Sequence, residues 1–486
     1  MLNLSETRKR QLLLVLILIV SAFLRLYKLD FQSLGNDELS SWNLSSRAES
    51  VSEVITTQAE HDVNPPGYQV LLFYVIKYFG DTDIWLRLPS ALAGILSVYM
   101  IYLLGVKLFS AKEGLIAAAL TGVTWCPVYF SQEARVYSFL LLFSIVSMFF
   151  WIDLITESAS LKSKPYFIVS AYVISAVITI SLHYFGLLLI ALQFSGMLFY
   201  FLIKKKHLKY FLIAYGIIFI LFIPFIRPLL IDFNPSFKIY IDSPTPFSFI
   251  KVLLFFFNNS SWFLELGGAL YLFLILKIIY DKSRNGKNRS DFNLVILFLW
   301  LLIPFLVSYI ISVLFLPVLT ERNLIISLPA VLLIFSHALI RLPLGLLIKK
   351  SFIVSVICLF LFHLVVKTKY YETYEKPEFK GAVKYIIEKE DKTAEPLIIG
   401  YCWSEYMFNY YFKKMGSDFQ IDVILGGKND IDSLKNLIED WEPENFWYVF
   451  AHREPDKEFL DFLNKTYSLK EAKKFQGAGV FHYQIY

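Results

Sequence analysis

Two adjacent carboxylates, Asp37 and Glu38, come just after the first apolar stretch of this chain. Acids beside a membrane are costly to keep near lipid and are seldom idle. A carboxylate at a membrane–water boundary has the chemistry of a general base, able to take a proton from a hydroxyl or an amine. The same pair can instead cap a helix that begins near Leu39, because short acidic side chains satisfy the free N–H groups of a first turn. Downstream stand His61, then Asn64-Pro65-Pro66-Gly67-Tyr68, then Lys77. The Pro-Pro-Gly run is a turn and helix-entry signal that positions His61 and carries no chemistry of its own. His61 is a candidate ligand for substrate or metal, or a solvated loop histidine. Lys77 is a candidate phosphate partner, or a lysine whose stem lies on apolar surface while its charge reaches water.

A second cluster, Ser131-Gln132-Glu133-Ala134-Arg135-Val136-Tyr137, joins two apolar runs. Glu133 is a second candidate acid. The planar guanidinium of Arg135 suits a phosphate, and an interfacial salt bridge is the plainer alternative. His183 sits alone between two further apolar runs, either as a substrate or metal ligand or as a satisfied structural histidine. Arg322, within Glu321-Arg322-Asn323, opens a late apolar run as a second candidate for phosphate or as an anchor. No P-loop, Gly-rich dinucleotide loop, HExxH, Ser-His-Asp signature or zinc spacing is present. Machinery for ATP hydrolysis or cytosolic nucleotide sugars is therefore missing from the sequence. No cofactor is fixed by these residues; a divalent metal ion is a possible assistant with an unknown ligand set.

The elements that must hold these groups are membrane helices. Of 486 residues 56% are hydrophobic and only 18% charged, below the roughly 25% usual in soluble domains. Mean hydropathy is +0.55. The net charge of +5 comes from lysines and arginines clustered in short loops, which report membrane orientation and not nucleic-acid binding. Cys126, Cys358 and Cys402 have no metal-ligand spacing, and a disulfide framework is not expected. About eleven windows reach spanning length, the first from Gln11 to Leu29 and the last from Ser351 to Val366. Tyr68 to Phe79 and Phe247 to Phe257 are too short and are expected at the interface. Basic turns at Arg8–Arg10, Lys107–Lys112, Lys162–Lys164, Lys204–Lys209, Lys282–Arg289 and Lys349–Lys350 fall at alternate connections. They put the N-terminus in the cytoplasm and the opposite connections outside. The candidate acids and arginines then gather on the outer side, where soluble nucleotide donors are scarce and a lipid-carried donor fits.

This predicts an α-helical polytopic membrane protein: a transmembrane catalytic domain over residues 1–368, whose first outer loop, 30–85, carries the acids. The tail, 369–486, has ordinary charge content and alternates helix-like and strand-like stretches. It predicts a small extracytoplasmic α/β domain, with strands over Pro396–Tyr401, Phe419–Leu425 and Phe446–Ala451 and helices between and around them.

The order of motifs resembles GT-C class glycosyltransferases, closest to the protein O-mannosyltransferase and aminoarabinose transferase type. The matching residues are the acidic pair after the first helix, His61-x-x-Asn64-Pro65-Pro66-Gly67-Tyr68, Arg87-Leu88-Pro89-Ser90-Ala91-Leu92-Ala93-Gly94, and Ser131-Gln132-Glu133-Ala134-Arg135-Val136-Tyr137. The match covers about the first third of the chain. It implies a membrane enzyme, a hexosyl- or pentosyltransferase, drawing on a polyprenyl-phosphate sugar. The acceptor would be a hydroxyl or amine on a protein, lipid or glycan, the partners membrane lipids and no nucleic acid, and the setting the plasma (inner) membrane. It implies Asp37 as catalytic base with Glu38 beside it, Glu133 as the second acid, and Arg135, with Arg322 more loosely, at the donor phosphate. The loop departs from the family's pattern, since Asp37-Glu38 is followed by Leu39-Ser40-Ser41-Trp42. A transporter or flippase of a lipid-linked sugar is the alternative. It would call for charges within the spans and internal symmetry, and no repeat is evident.

Overall fold

The computed structural model describes residues 5–61, 64–156, 162–205, 208–232, 241–285, 289–390, 396–424 and 430–485. The chain forms two compact units. One comprises Met1–Tyr27, Ala48–Tyr74 and Arg87–Lys369; the other comprises Lys28–Arg47, Val75–Leu86 and Tyr370–Tyr486. The division is not linear, because residues 28–47 and 75–86 join the tail.

The first unit is a helical bundle. Among the described residues nine helices are long and apolar enough to cross a membrane, from Asp83–Leu108 to Leu346–Lys367. A bent pair, Ala111–Val123 and Trp125–Ser131, makes a tenth candidate, with 59° between its halves. The eleventh expected span is the helix Glu6–Leu26, 21 residues long. It carries Arg8, Lys9 and Arg10 at one end and Arg25 at the other, which takes it out of the apolar class. Gly67–Phe79 and Ser248–Phe256 form helices of 13 and 9 residues, too short to span about 30 Å of hydrocarbon. Leu328–Arg341 is the central helix, buried at every position from Leu328 to Leu339. A helix apolar on all sides belongs inside a bundle, and it packs against Ala111–Val123, Ser261–Asn285 and Arg289–Leu314.

The bend has a local cause. Pro127 has no N–H for the Val123 carbonyl, and Thr124 drops to extended backbone at φ −72°, ψ 139°. The freed carbonyls need donors. Arg25, fully buried, supplies them: Nη2 donates to Thr121 O at 2.9 Å and Nη1 to Gly122 O at 3.0 Å. Its Nε donates to Ser131 Oγ at 3.1 Å, and Nη1 also reaches Ser21 Oγ at 2.8 Å. Gln132 then caps the end of the first helix, its Nε2 donating to the carbonyls of Arg25 at 3.2 Å and Tyr27 at 2.9 Å.

The second unit is built on a five-stranded sheet of order β2-β1-β3-β5-β4. The strands are β1 Leu397–Tyr401, β2 Asp422–Val423, β3 Asn445–Ala451, β4 Ser468–Phe475 and β5 Ala478–Gln484. β1 runs parallel to β2 and β3; β5 pairs antiparallel with β3 and β4. All five residues of β1 are buried, as a central strand covered on both faces requires. The helices Phe379–Lys389, Tyr406–Lys414, Asp430–Trp441 and Lys457–Thr466 complete it. Each expected strand and helix of the tail is present within a few residues; of the expected Phe419–Leu425 strand, Asp422–Val423 is strand and Leu425 lies outside the described residues. The β4–β5 hairpin is an addition that the sequence does not announce. β4 is a lysine-rich edge strand, with only intermediate or exposed positions, and it lacks the apolar alternation that marks a strand.

The loop pieces join this unit through specific bonds. Gln32 Oε1 accepts from the backbone N–H groups of Glu375 and Lys376 at 3.1 and 3.2 Å. Ser33 Oγ accepts from Lys380 N at 3.0 Å, and the Tyr411 hydroxyl accepts from Leu34 N at 2.6 Å. Trp42 Nε1 donates to Asp81 at 3.0 Å, and Tyr410 donates to Asp83 at 2.8 Å.

Candidate active site

In the first unit, the sequence motifs meet because they fit one another. Gly94 of the Arg-Leu-Pro-Ser-Ala-Leu-Ala-Gly run faces Ser131: a methyl there would overlap the Ser131 hydroxyl and lie 2.9 Å from Arg25 Nε. Ser90 of the same run donates to the Arg135 carbonyl at 3.1 Å. Gly67, after the double proline, lies so close to the Ser181 carbonyl that a Cβ would stand 2.5 Å from it. Thus four stretches far apart in sequence are held as two close-fitting pairs, and the Tyr68 hydroxyl, 3.4 Å from Ser90 Oγ, links one pair to the other.

A cavity of about 330 Å³ is lined by Asn64, Arg135, Tyr137, His183, Arg322 and Asn323 on its polar side. Leu187, Leu188, Leu229, Ile311, Leu316 and Val318 give it apolar walls. Arg135 is buried, whereas Arg322 remains exposed, with its guanidinium 5.9 Å from the Tyr137 ring centre. A planar cation over an aromatic face is held in orientation without losing its charge.

His183 follows the helix Pro165–Leu182 as its C-cap. Burial, then the positive charges of Arg135 and Arg322, hold its pKa down to about 3, against a smaller opposing effect from a hydrogen bond with Asn323. Its Nδ1 accepts from Phe185 N at 3.1 Å, which leaves the ring proton on Nε2. The ring is therefore a neutral donor between two cations. Because the folded pKa lies below the ordinary 6.5, the unfolded chain takes up the proton first as pH falls. The neutral ring's contribution to stability is complete above pH 6.5 and is lost progressively down to pH 3. Thermal melts of the wild type against His183→Gln are expected to diverge on acidification, the wild type losing about 2 kcal/mol relative to the variant between pH 7 and pH 5. Parallel curves would disprove the depressed pKa.

These surroundings suit an anion. Two guanidinium groups repel a cation from His183, and among the described residues no group of three His, Cys, Asp or Glu gathers to hold a metal ion. The side chain of His61 lies outside the described residues. Glu133 is half-buried in the 132–136 turn and is not among the residues lining the cavity.

Asp37 and Glu38 belong to the second unit, in the helix Asn36–Ser46. Neighbours in a helix point about 100° apart, and the two acids separate accordingly. Glu38 is 1% exposed: its carboxylate reaches back to accept from Gly35 N at 2.8 Å, capping the helix start, and pairs with Lys376 Nζ at 2.7 Å. It is thus occupied in holding the loop. Asp37, in the first turn of the same helix, is exposed. Lys77 is exposed in the last turn of Gly67–Phe79. Sequence reasoning missed Tyr137, Asn64 and Asn323 as lining residues, although all three lie inside or beside the motifs, and it missed Arg25 altogether.

Residues 63–230 match the model of a family described as dolichyl-phosphate-mannose-protein mannosyltransferase. No curated protein sequence matches the chain. Among solved structures, ArnT from Cupriavidus metallidurans in the apo state superposes with a TM-score of 0.60 at 13% identity, covering 98% of each chain. The same protein bound to undecaprenyl phosphate gives 0.55 at 14% identity, covering 96% of this chain and 97% of that one. The oligosaccharyltransferase AglB from Archaeoglobus fulgidus, in complex with an inhibitory peptide and a dolichol-phosphate, gives 0.52 at 10% identity, over 98% of this chain and 74% of that one. The resemblance to GT-C glycosyltransferases is borne out by the segment match and by the fold, that of a multi-pass membrane protein with a small C-terminal sheet domain.

Proposed function

We propose that this chain is a membrane glycosyltransferase that moves a sugar from a polyprenyl-phosphate donor to an acceptor hydroxyl or amine on the extracytoplasmic side. The observation that carries the reading is the cavity in which Arg135, Arg322 and the neutral His183 face apolar walls. Two guanidinium groups and a ring N–H suit a phosphate diester, and leucine and isoleucine walls suit an isoprenoid chain. The undecaprenyl phosphate bound by ArnT, which shares the fold, supports the same donor class.

In the reaction the acceptor oxygen or nitrogen attacks the anomeric carbon, forming the new glycosidic bond with inversion. The bond from that carbon to the phosphate oxygen breaks, and its electron pair leaves with the polyprenyl phosphate. Negative charge grows on that departing phosphate, where Arg135 and Arg322 stabilise it. Asp37 takes the acceptor's proton. Lys77 is retained as a further phosphate partner and Glu133 as a second acid.

The test is turnover of a labelled polyprenyl-phosphate sugar by the purified protein in lipid nanodiscs, read as free polyprenyl phosphate and as labelled product. Arg135→Ala is expected to cut turnover about 100-fold. Net movement of intact donor across the bilayer, with no sugar released, would replace this reading with that of a transporter.

A further inference from the structure

In the second unit, β1 and β3 are parallel neighbours, and the residues just beyond their carboxyl ends are distinctive. In sheets with parallel strands, ligands settle in the crevice outside those ends where successive connections part to opposite sides. After β1 comes Trp403, and after β3 come His452 and Arg453. Trp403 is 44% exposed, a large apolar ring left in water, and the guanidinium of Arg453 lies over one face of it, 5.3 Å from the ring centre. His452 is exposed at φ +72°, a conformation that costs a non-glycine residue energy and concentrates at binding sites. Its N–H is tied to the Gly477 carbonyl at 2.8 Å, which holds the turn in that shape.

The same end of the sheet is where the candidate base lies. Tyr406, three residues after Trp403, hydrogen-bonds Ser40 of the Asn36–Ser46 helix and is influenced by the charges of Arg47 and Asp37. That helix packs directly on Tyr406–Lys414. Residues from β1, β3 and the Asp37 helix are thus brought to one side of this unit.

We propose that Trp403, Arg453 and His452 form the acceptor seat, and that the acceptor is a glycan whose sugar carries a negative charge. The C–H face of a pyranose ring is apolar and faintly positive, and it stacks on the negative face of an indole. The sugar takes the ring face opposite Arg453, the guanidinium reaches past the ring edge to a phosphate or carboxylate on the same sugar, and the histidine adds a donor. With this seat, the tail domain serves to present an acceptor to Asp37. The acceptor role rests on the glycosyltransferase reading above.

Two measurements on the full-length protein test it. In saturation-transfer NMR with glucose 6-phosphate as probe and glucose as control, the phosphosugar's ring protons are expected to be saturated by the wild type. In Trp403→Ala and in Arg453→Ala the signal should fall about fivefold or more, because each loses about a tenfold share of affinity. Equal signals in all three proteins overturn the seat. With labelled polyprenyl-phosphate sugar, both variants are expected to release sugar to water at the wild-type rate within about twofold. Their KM for acceptor in a deproteinised envelope glycan extract should rise about tenfold at unchanged kcat. Equal losses of hydrolysis and transfer overturn the proposal as well, since the residues would then act on the whole fold. If the wild type neither hydrolyses nor transfers, the glycosyltransferase reading fails, and a positive NMR result still stands for an anionic-sugar site.

Discussion

Asp37→Asn is expected to lower sugar transfer by about 10²- to 10⁴-fold, the range a general base contributes, while expression and melting temperature stay at the wild-type level. Asparagine keeps the size of the side chain, and the helix start is held by Glu38, so the Asn36–Ser46 helix has no reason to unwind. It cannot accept a proton at neutral pH. Glu38→Gln is the comparison that makes the result interpretable. Glu38 is 1% exposed and bonded to Lys376 Nζ at 2.7 Å. Removing its charge takes the carboxylate at 2.7 Å away from a buried ammonium, and breaking a buried pair costs about 3–5 kcal/mol. The expected outcome is therefore a crossed pattern: Asp37→Asn stable and inactive, Glu38→Gln unstable, with turnover per folded molecule close to normal. Turnover assays paired with thermal melts in the same detergent check it. A fully active Asp37→Asn protein would remove Asp37 as the base. An inactive but stable Glu38→Gln protein would move the chemistry to its neighbour.

That crossed pattern also shows what the sequence could and could not convey. Adjacent acids were visible, and so were both readings, base and cap. Deciding which acid takes which part needs Lys376, 338 residues away. The spans were legible because twenty apolar residues in a row have few other fates. Arg135, His183 and Arg322 were legible as charged or polar residues stranded beside apolar runs, and all three line the same cavity. Tyr137, Asn64 and Asn323 line it too, but a tyrosine or asparagine at an interface is too ordinary to stand out. The nested division of the chain, with residues 28–47 and 75–86 joined to the tail, was hidden for the same reason as the Lys376 pair. It depends on bonds such as Gln32 to Lys376 and Trp42 to Asp81, which leave no periodic trace.

Arg25 is the largest omission, and its replacement is the second large effect expected. A single arginine near the end of the first helix reads as an interfacial anchor. In the structure its guanidinium is fully buried and donates to Ser21 Oγ and O, Thr121 O, Gly122 O and Ser131 Oγ. Two of these go to carbonyls left free by the break before Pro127, so the bend and the arginine require each other. Arg25→Met conserves bulk and stem but leaves those carbonyls buried without donors. At about 1–3 kcal/mol for each unsatisfied group, the loss is about 3–5 kcal/mol, a large share of a stability of about 5–15 kcal/mol. Arg25→Lys is expected to rescue little, because one ammonium cannot address carbonyls and hydroxyls on three sides as a planar fork does. Ser131 and Gln132 precede Arg135 by only a few residues, and Gly94 and Ser90 are fitted to the same turn. Loosening Arg25 should therefore also weaken donor binding, in proportion to the folded fraction lost. Melting curves together with donor titrations of Arg25→Met and Arg25→Lys test this. An Arg25→Met protein as stable as wild type would mean that the carbonyls at the bend find other donors and that the buried charge is dispensable.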